Sequence, residues 1–305
     1  MKVNRIIRAY RKYKRNQMRY YYNSNYASNY KCSNLRSFDI CSYDYSGSKN
    51  IKGNKDGFGV QKWKDGTKYI GMFLNNKANG YGVLYHQDGD IYKGEFVQDR
   101  AQVFGIYIHD NGSEYVGNWI DDTQSGIGIE KWEDAGDYEG CFVNGQKEGI
   151  GMYIWPDNSI YKGEWKENLI EGYGVYYFND KRMYIGQWKH FQMNGYGEFY
   201  WNEGRKYFGF FKDDKRDGFG IFHWPPEKYY IGFWKEGKQH GIGKCLKGNA
   251  IKYGIWKEGT KEKWFNNEDE FVSCLDPRDE QYKNIFQMNY NEICQYMKGV
   301  LFEDN

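Results

Sequence analysis

The residues of this sequence that could carry chemistry are its paired glycines, its histidines and its cysteines. Gly-x-Gly pairs form phosphate-binding loops when a helix follows them, but here they lie inside predicted strands, which disfavours a nucleotide site. His86, His109 and His223 have no cysteine or carboxylate companions at the spacing of metal ligands. The six cysteines form no CxxC pair, which indicates reduced thiols rather than a zinc site. Because no nucleophile, base and orienting group come together, we expect no enzymatic activity, no metal and no cofactor.

The glycines belong to a repeat that accounts for them without any chemistry. The pattern Tyr-x-Gly-x-(Phe/Trp) begins eight times at intervals of 23 residues, over residues 69–252. Its tyrosines are Tyr69, Tyr92, Tyr115, Tyr138, Tyr161, Tyr184, Tyr207 and Tyr230. Counted from this tyrosine as position 1, positions 3 and 14 are always glycine and position 13 is always apolar. Such a period is the signature of a repeat architecture.

Each repeat is predicted to form a β-hairpin. Apolar or small residues alternate with polar ones from position 1 and again from position 12, as in two half-buried strands. Asn, Asp, Gly, Lys and Pro at positions 7–11 and 19–22 indicate turns. A lone hairpin is marginal in water, so successive hairpins must pack side by side. The predicted fold is all-β: an elongated, twisted, antiparallel single-sheet ribbon with a basic N-terminal helix or arm and a C-terminal α-helix.

The repeat resembles the MORN (membrane occupation and recognition nexus) repeat, whose consensus begins YxGxF and continues with a GxG pair. Residues 45–68 are interpreted as a degenerate first repeat that starts at Tyr45 with one inserted residue. Residues 253–275 are interpreted as a degenerate last repeat or cap, one residue short at Tyr253. The resemblance implies a hairpin sheet and an interaction role, because family enzymes carry their catalysis in a separate domain.

The aromatic residue at position 5 is the predicted partner-binding surface of the ribbon. It is present in all eight repeats. The residues are Phe73, Phe96, Trp119, Phe142, Trp165, Trp188, Phe211 and Trp234. Rings arranged at one step per repeat would offer a partner a regular apolar surface.

The segment 1–44 is a basic arm, and its first 31 residues contain nine Lys/Arg and no acid. Its apolar stripe on a predicted helix is Val3, Ile6, Ile7, Tyr10 and Tyr13. It resembles an IQ motif, the helical site for calmodulin-like EF-hand proteins, with Ile6 at the first apolar position and Arg11 at the first arginine. The partner-binding residues would then be Ile6, Arg8, Tyr10, Arg11, Lys12 and Arg15.

Three other interpretations of the arm stay open. It could bind anionic lipid, serve as a mitochondrial targeting peptide, or lie along an acidic protein surface. The body of the chain is almost uncharged, so it offers no electrostatic track for nucleic acid.

The segment 276–305 is predicted to be an acidic helix and tail. Asp276 and Pro277 read as a helix N-cap and first helical position. An apolar stripe follows: Tyr282, Ile285, Phe286, Ile293 and Met297. The stripe must be buried, either against the last edge of the sheet near Trp256, Trp264 and Phe265 or on another protein, and we expect it to cap the edge.

These observations predict a non-catalytic scaffold. MORN proteins similar to this chain belong to cytoskeletal structures, so the resemblance implies a cytoplasmic, cytoskeletal protein of a ciliary axoneme, such as a radial-spoke component. Its partners would be other proteins of that assembly, an EF-hand protein, or a second copy in a homodimer. The alternative is a peripheral membrane protein that binds phosphoinositides through the repeats and the basic arm.

Overall fold

The computed structural model describes residues 45–274, 280–288, 292–293 and 295–296. They form twenty β-strands, arranged as an antiparallel open sheet of hairpins, and two short helices. The all-β prediction is therefore confirmed. The chain divides into two compact units at Gln146, and each unit is described by itself.

In the first unit every strand pairs with the next one along the chain, always antiparallel. The strands are β1 (Ser46–Lys49), β2 (Lys55–Lys62), β3 (Lys68–Leu74), β4 (Lys77–Tyr85), β5 (Ile91–Val97), β6 (Arg100–Ile108), β7 (Glu114–Ile120), β8 (Thr123–Trp132) and β9 (Gly136–Val143).

The second unit continues in the same manner and ends in the helices. Its strands are β10 (Gln146–Ile154), β11 (Ile160–Lys166), β12 (Leu169–Tyr177), β13 (Met183–Lys189), β14 (Gln192–Tyr200), β15 (Lys206–Lys212), β16 (Lys215–Trp224), β17 (Lys228–Lys235), β18 (Lys238–Lys247), β19 (Ala250–Lys257) and β20 (Thr260–Trp264). The helices are α1 (Glu268–Ser273) and α2 (Glu280–Gln287).

The tyrosine at position 1 is the centre of each hairpin. In the first full repeat the Tyr69 ring lies across Gly71 and Gly82, and a Cβ on Gly71 would come within 2.5 Å of its hydroxyl. That hydroxyl donates to the carbonyl of Met72 at 3.0 Å, and the equivalent bond occurs in all eight repeats. These tyrosines are 0–3% exposed. The predicted packing reason for the two glycines is confirmed, because only glycine lets a ring lie flat on the strands.

The rings also link one hairpin to the next. The edge of Tyr69 meets Phe73 of its own hairpin at 5.1 Å between centroids and Phe96 of the following hairpin at 5.0 Å. In the second unit Tyr161 contacts Trp165 and Trp188 in the same T-shaped geometry. Each tyrosine is therefore buried half by its own hairpin and half by its neighbour, so a hairpin completes its core only when another follows it.

The hairpin turns are shorter than predicted. Only positions 7 and 8 form the turn, and both have positive φ, 48° at Asn75 and 73° at Asn76, as a type I′ turn requires. Positions 9–11 belong to the second strand, because a two-residue turn returns the chain at once. The polar residues common at positions 9–11 indicated a loop, but position 10 lies on the same face as the position-5 ring, and Ala78, Ala101 and Ile170 there are 2–6% exposed.

The residue at position 8 joins its turn to the preceding hairpin. The Asn76 amide donates to the Lys55 carbonyl at 2.9 Å, and the Asn76 side-chain oxygen accepts from the Lys55 amide at 2.8 Å. Asp99, Asp122, Asn168 and Asp214 make the same side-chain bond. Asn and Asp suit this position because they tolerate a positive φ and provide an acceptor.

The degenerate first repeat forms a true hairpin. Tyr45 occupies position 1, its ring lies over Gly47 and Gly59, and its hydroxyl donates to the Ser48 carbonyl at 2.5 Å. Its ring also meets Phe73 of the next hairpin edge-on at 5.1 Å. The inserted residue is accommodated before β2.

We predict that Gly163→Ala weakens the fold strongly. A Cβ at Gly163 would meet the Tyr161 ring and lie 2.5 Å from the Cα of Gly174, so ring or strand must move. We expect a loss of about 3 kcal/mol in the free energy of unfolding, from urea midpoints.

The control for this substitution is Gly237→Ala. Gly237, unlike Gly163, has a positive φ, 83°, but a Cβ there has no atom within 4 Å. Gly237→Ala should lower the free energy of unfolding by only about 1 kcal/mol, because of backbone strain. Equal losses for the two variants would contradict the packing role of the glycine.

Candidate interaction surfaces

The position-5 rings are not a surface, which corrects the prediction. All eight are only 1–8% exposed: Phe73, Phe96, Trp119, Phe142, Trp165, Trp188, Phe211 and Trp234. They face the same side of the sheet as the tyrosines, here called the inner face, and fill the space between successive tyrosine rings. Their constant spacing reflects the core of the sheet and leaves none of these rings open to a partner.

Sequence analysis missed a second line of rings at positions 16 and 18 of the second unit, here called the aromatic row. Its members are Tyr153, Trp155, Tyr176, Phe178, Phe199, Trp201, Phe222 and Trp224. Successive centroids lie 4.2–5.6 Å apart along the whole row. The position-18 rings are only half-buried. Alternate aromatics at positions 16 and 18 were the available signal in the sequence.

Cations from the neighbouring loops and from the start of β17 lie over the aromatic row. Arg182 lies 4.7 Å from the Phe178 centroid, Arg205 lies 5.7 Å from Trp201, and Lys228 lies 5.0 Å from Trp224. Arg182 and Arg205 also pair with acids of their own loops. The row is thus an amphipathic strip, with apolar ring edges and fixed cations.

In the first two full repeats, histidine replaces an aromatic ring at position 18. The His109 ring lies 4.9 Å from Tyr107 and stacks on Trp132 at 5.7 Å. Its Nδ1 lies 3.2 Å from an Asp90 carboxylate oxygen, which also accepts a 2.6 Å hydrogen bond from the Tyr107 hydroxyl. That hydrogen bond is the main reason why the pKa of Asp90 is lowered, with further contributions from the Asp110 amide and His109.

The face opposite the tyrosines, here called the outer face, receives the C-terminal helices in the second unit. Ile285, Phe286 and Ile293 are at most 2% exposed. They pack with the outer-face residues Tyr196, Phe219, Ile221 and Ile231 and with Phe265 and Phe271. The Phe286 ring lies 5.7 Å from Phe219 and 4.9 Å from Phe271. Met297 lies outside the described residues, as does the side chain of Tyr282.

The C-terminal apolar stripe therefore does not cap the last edge of the sheet, contrary to our expectation. The stripe lies on the sheet face, and all five residues of the last strand β20 are exposed. The missing residue before Tyr253 is the reason: the shift by one turns this tyrosine to the outer face, where it packs at 4.7 Å from Phe271. On the inner face, Trp264 takes the place of the absent tyrosine and meets Trp256 edge-on at 5.5 Å.

Helix α1 was not predicted, although a capping signal precedes it. The Asn267 side chain accepts from the Glu270 amide at 2.9 Å, and three acids occupy the first turn. Its Phe271 is completely buried in the outer-face cluster.

A buried lysine joins the sheet to α2. Lys244 is 4% exposed, and its Nζ donates to the carbonyls of Phe286 (2.5 Å) and Met288 (3.0 Å). Burial lowers the pKa of Lys244. Since carbonyls at a helix C-terminus carry partial negative charge, this cation fixes where α2 ends on the sheet.

An open cleft of 630 Å³ lies in the second unit. Its charged residues include Lys189, Lys212, Asp213 and Asp217. Charges of both signs and the rings of Phe210 and Phe219 line the cleft, and its lining residues include no nucleophile beside a base. Among the described residues, no group of three or more His, Cys, Asp or Glu side chains could hold a metal ion. No helix of the described part of the chain is long and apolar enough to cross a membrane.

A family model for the MORN repeat matches nine segments: residues 51–68, 69–91, 92–114, 115–136, 138–160, 161–181, 184–204, 207–227 and 230–249. These segments cover more than half of the chain, which therefore belongs to the MORN-repeat family. Membership implies a module for interaction with proteins or membranes. No curated protein sequence matches the chain.

Several solved structures are similar at low identity. The TCP10 domain of Danio rerio CPAP, in complex with a peptide of Danio rerio STIL, is 10% identical over 73% of this chain and 100% of that chain, with a TM-score of 0.43. The SAS-4 (dCPAP) TCP domain of Drosophila melanogaster is 10% identical over 65% and 95%, with a TM-score of 0.26. The G-box domain of CPAP is 12% identical over 69% and 100%, with a TM-score of 0.29.

We predict that Tyr107→Phe weakens the fold at neutral pH and has little effect in acid. The pKa of Asp90 is lowered in the folded chain, so its contribution to stability is present above the ordinary aspartate pKa and is lost as the pH falls through the lowered one. Removing the hydroxyl should lower the melting temperature by about 3 °C at about pH 7, and the difference should close towards about pH 2.

Tyr81→Phe is the control for the hydroxyl itself, because Tyr81 is half-exposed on the outer face of the same unit. It should give no pH-dependent difference in melting temperature. A Tyr107→Phe difference that stays constant from neutral to acid pH would exclude the Asp90 linkage.

Proposed function

We propose that this protein is a non-catalytic scaffold that holds a partner protein through the aromatic row of its second unit. The observation that carries this proposal is that the row is continuous and that its position-18 rings are half-exposed, whereas the repeated Tyr, Gly and position-5 residues are buried in the core. Half-buried Trp rings flanked by Arg and Lys combine the residue types that dominate protein interfaces.

The finer proposal is that the scaffold belongs to a cytoskeletal assembly, in particular a ciliary axoneme. It is supported by the resemblance to MORN proteins of such assemblies and by family membership, which implies an interaction module. The partner would be another protein of that assembly.

The test is affinity purification of the tagged full chain from its own cell, followed by mass spectrometry. Trp155→Ala combined with Trp201→Ala removes two half-buried rings of the row. We expect the amount of the principal partner to fall about tenfold, because truncating Trp at an interface centre costs about 2 kcal/mol or more.

Tyr173→Ala is the matched control, since Tyr173 is an exposed ring of the same unit on the outer face. Retention of the partner by this variant, with loss in the Trp variant, supports the proposal. A partner retained equally by all three chains would rule out the row, and partners without cytoskeletal proteins among them would rule out the finer proposal.

The alternative is a peripheral membrane protein, and one charge pattern favours it. Residues 45–85 carry seven lysines against two aspartates, directly after the basic arm. Anionic lipid attracts such a segment by about 1 kcal/mol per cation near the surface.

Flotation of the full chain with vesicles, with and without phosphoinositide, tests this alternative. Substitution of Arg8, Arg11, Lys12 and Arg15 by Ala should abolish flotation at physiological salt if the arm holds the lipid. The control replaces four exposed lysines of the second unit by Ala: Lys212, Lys215, Lys235 and Lys238. Absence of flotation by the unchanged chain would exclude the lipid function.

The EF-hand partner and the homodimer stay predictions. The residues that would bind an EF-hand protein, Ile6, Arg8, Tyr10, Arg11, Lys12 and Arg15, lie outside the described residues.

A further inference from the structure

The C-terminal segment covers part of the outer face of the second unit, and this contact shows which kind of element packs on that face. In the second unit, residues at positions 2, 13 and 15 are buried beneath the C-terminal segment, among them Ile231, Phe219 and Ile221. The covering residues Ile285 and Phe286 come from a helix with one apolar stripe. An amphipathic helix is thus the layer that completes this sheet face.

The same repeat positions are mostly apolar in the first unit. Val116 pairs across the strands with Ile106 and with Ile129, and Ile108 and Ile127 lie two residues further along these strands on the same outer face. Ile129 is 7% exposed, but the other four side chains remain half-exposed, and the structure describes no helix within residues 45–146. Adjacent apolar side chains on a sheet face favour a further layer that removes them from water.

The segment that carries this face is acidic as a whole, although Lys93 lies on the face opposite Ile106. Residues 86–146 contain thirteen Asp or Glu against three Lys or Arg. Glu114 pairs across the strands with Ile108, and Glu139 pairs with Ile129, so both carboxylates border the apolar patch. One oxygen of Glu139 is buried without a hydrogen-bond partner among the described residues. A buried carboxylate oxygen of this kind favours a cation in the covering layer.

We propose that the apolar stripe of residues 3–13 packs on this outer face of β6–β9 within the same chain. The stripe supplies Val3, Ile6, Ile7, Tyr10 and Tyr13, and residues 1–31 supply nine cations without an acid. The apolar patch and its acidic border match this segment in both respects. The first unit then receives its outer layer from the N-terminus as the second unit does from the C-terminus.

The length of the chain permits this contact. Strands lie about 4.8 Å apart, which places β6 roughly 24 Å from β1. The 29 residues between Arg15 and Tyr45 span up to roughly 100 Å when extended, so they bridge this distance easily.

Hydroxyl-radical footprinting of the full chain tests the proposal by the reactivity of Ile106, Val116 and Ile127. Ile6→Asp combined with Tyr10→Asp removes two members of the apolar stripe without touching the sheet. We expect the reactivity of the three side chains to rise about threefold, because the covering layer leaves.

The matched control is Asn4→Asp combined with Asn16→Asp, which adds the same charge outside the stripe and should leave the reactivity unchanged. From the side of the sheet, Glu114→Lys combined with Glu139→Lys should also raise it. Glu164→Lys combined with Glu167→Lys makes the same charge change at exposed positions of the second unit and should not.

Reactivity that is already high in the unchanged chain, or that does not respond to Ile6→Asp with Tyr10→Asp, would overturn the proposal. Protection that disappears on dilution, together with a dimer in sedimentation, would show a second copy's arm on the face and would overturn docking within one chain. Neither outcome involves the aromatic row, so the test is independent of the proposed scaffold function.

Discussion

The structure depends on one close approach, a tyrosine ring lying flat across two glycines of neighbouring strands. Any Cβ at either glycine would occupy the space of the ring. In this position the tyrosine hydroxyl donates a hydrogen bond to a main-chain carbonyl. The ring also contacts two position-5 aromatics in T-shaped geometry, one in its own hairpin and one in the next. Stability is therefore shared between neighbours, and a repeat without a neighbour leaves half of its core unfilled.

This dependence on neighbours explains why the ends of the array differ from its middle. At the start, Tyr45 keeps the ring-on-glycine contact despite the inserted residue. At the end, the missing residue moves Tyr253 to the other face, and Trp264 covers Gly254 in its place. The displaced tyrosine then contributes to the cluster that holds Phe271 and Phe286. The deletion therefore adds one ring to the surface that receives the C-terminal helices.

Residues that repeat regularly pack the core of the sheet, and residues that vary between repeats are available for recognition. The most regular residues lie in the core of the inner face, so their spacing identifies the fold and not the partner. Residues that vary between repeats at positions 16 and 18, and on the outer face, distinguish one hairpin from another. The aromatic row, the acidic border around Ile108 and the patch beneath α2 all arise from these variable positions.

The sequence by itself determined the hairpin period, the two strands of each repeat and the packing reason for the glycines, because these follow from contacts between residues close in the chain. It also located the apolar stripe of Ile285 and Phe286. The tertiary structure decided that the position-5 rings are buried, that positions 16 and 18 form a row, and that the C-terminal stripe lies on a sheet face instead of an edge. Periodicity shows which residues share a face, but the burial of a face depends on what packs against it from elsewhere in the chain.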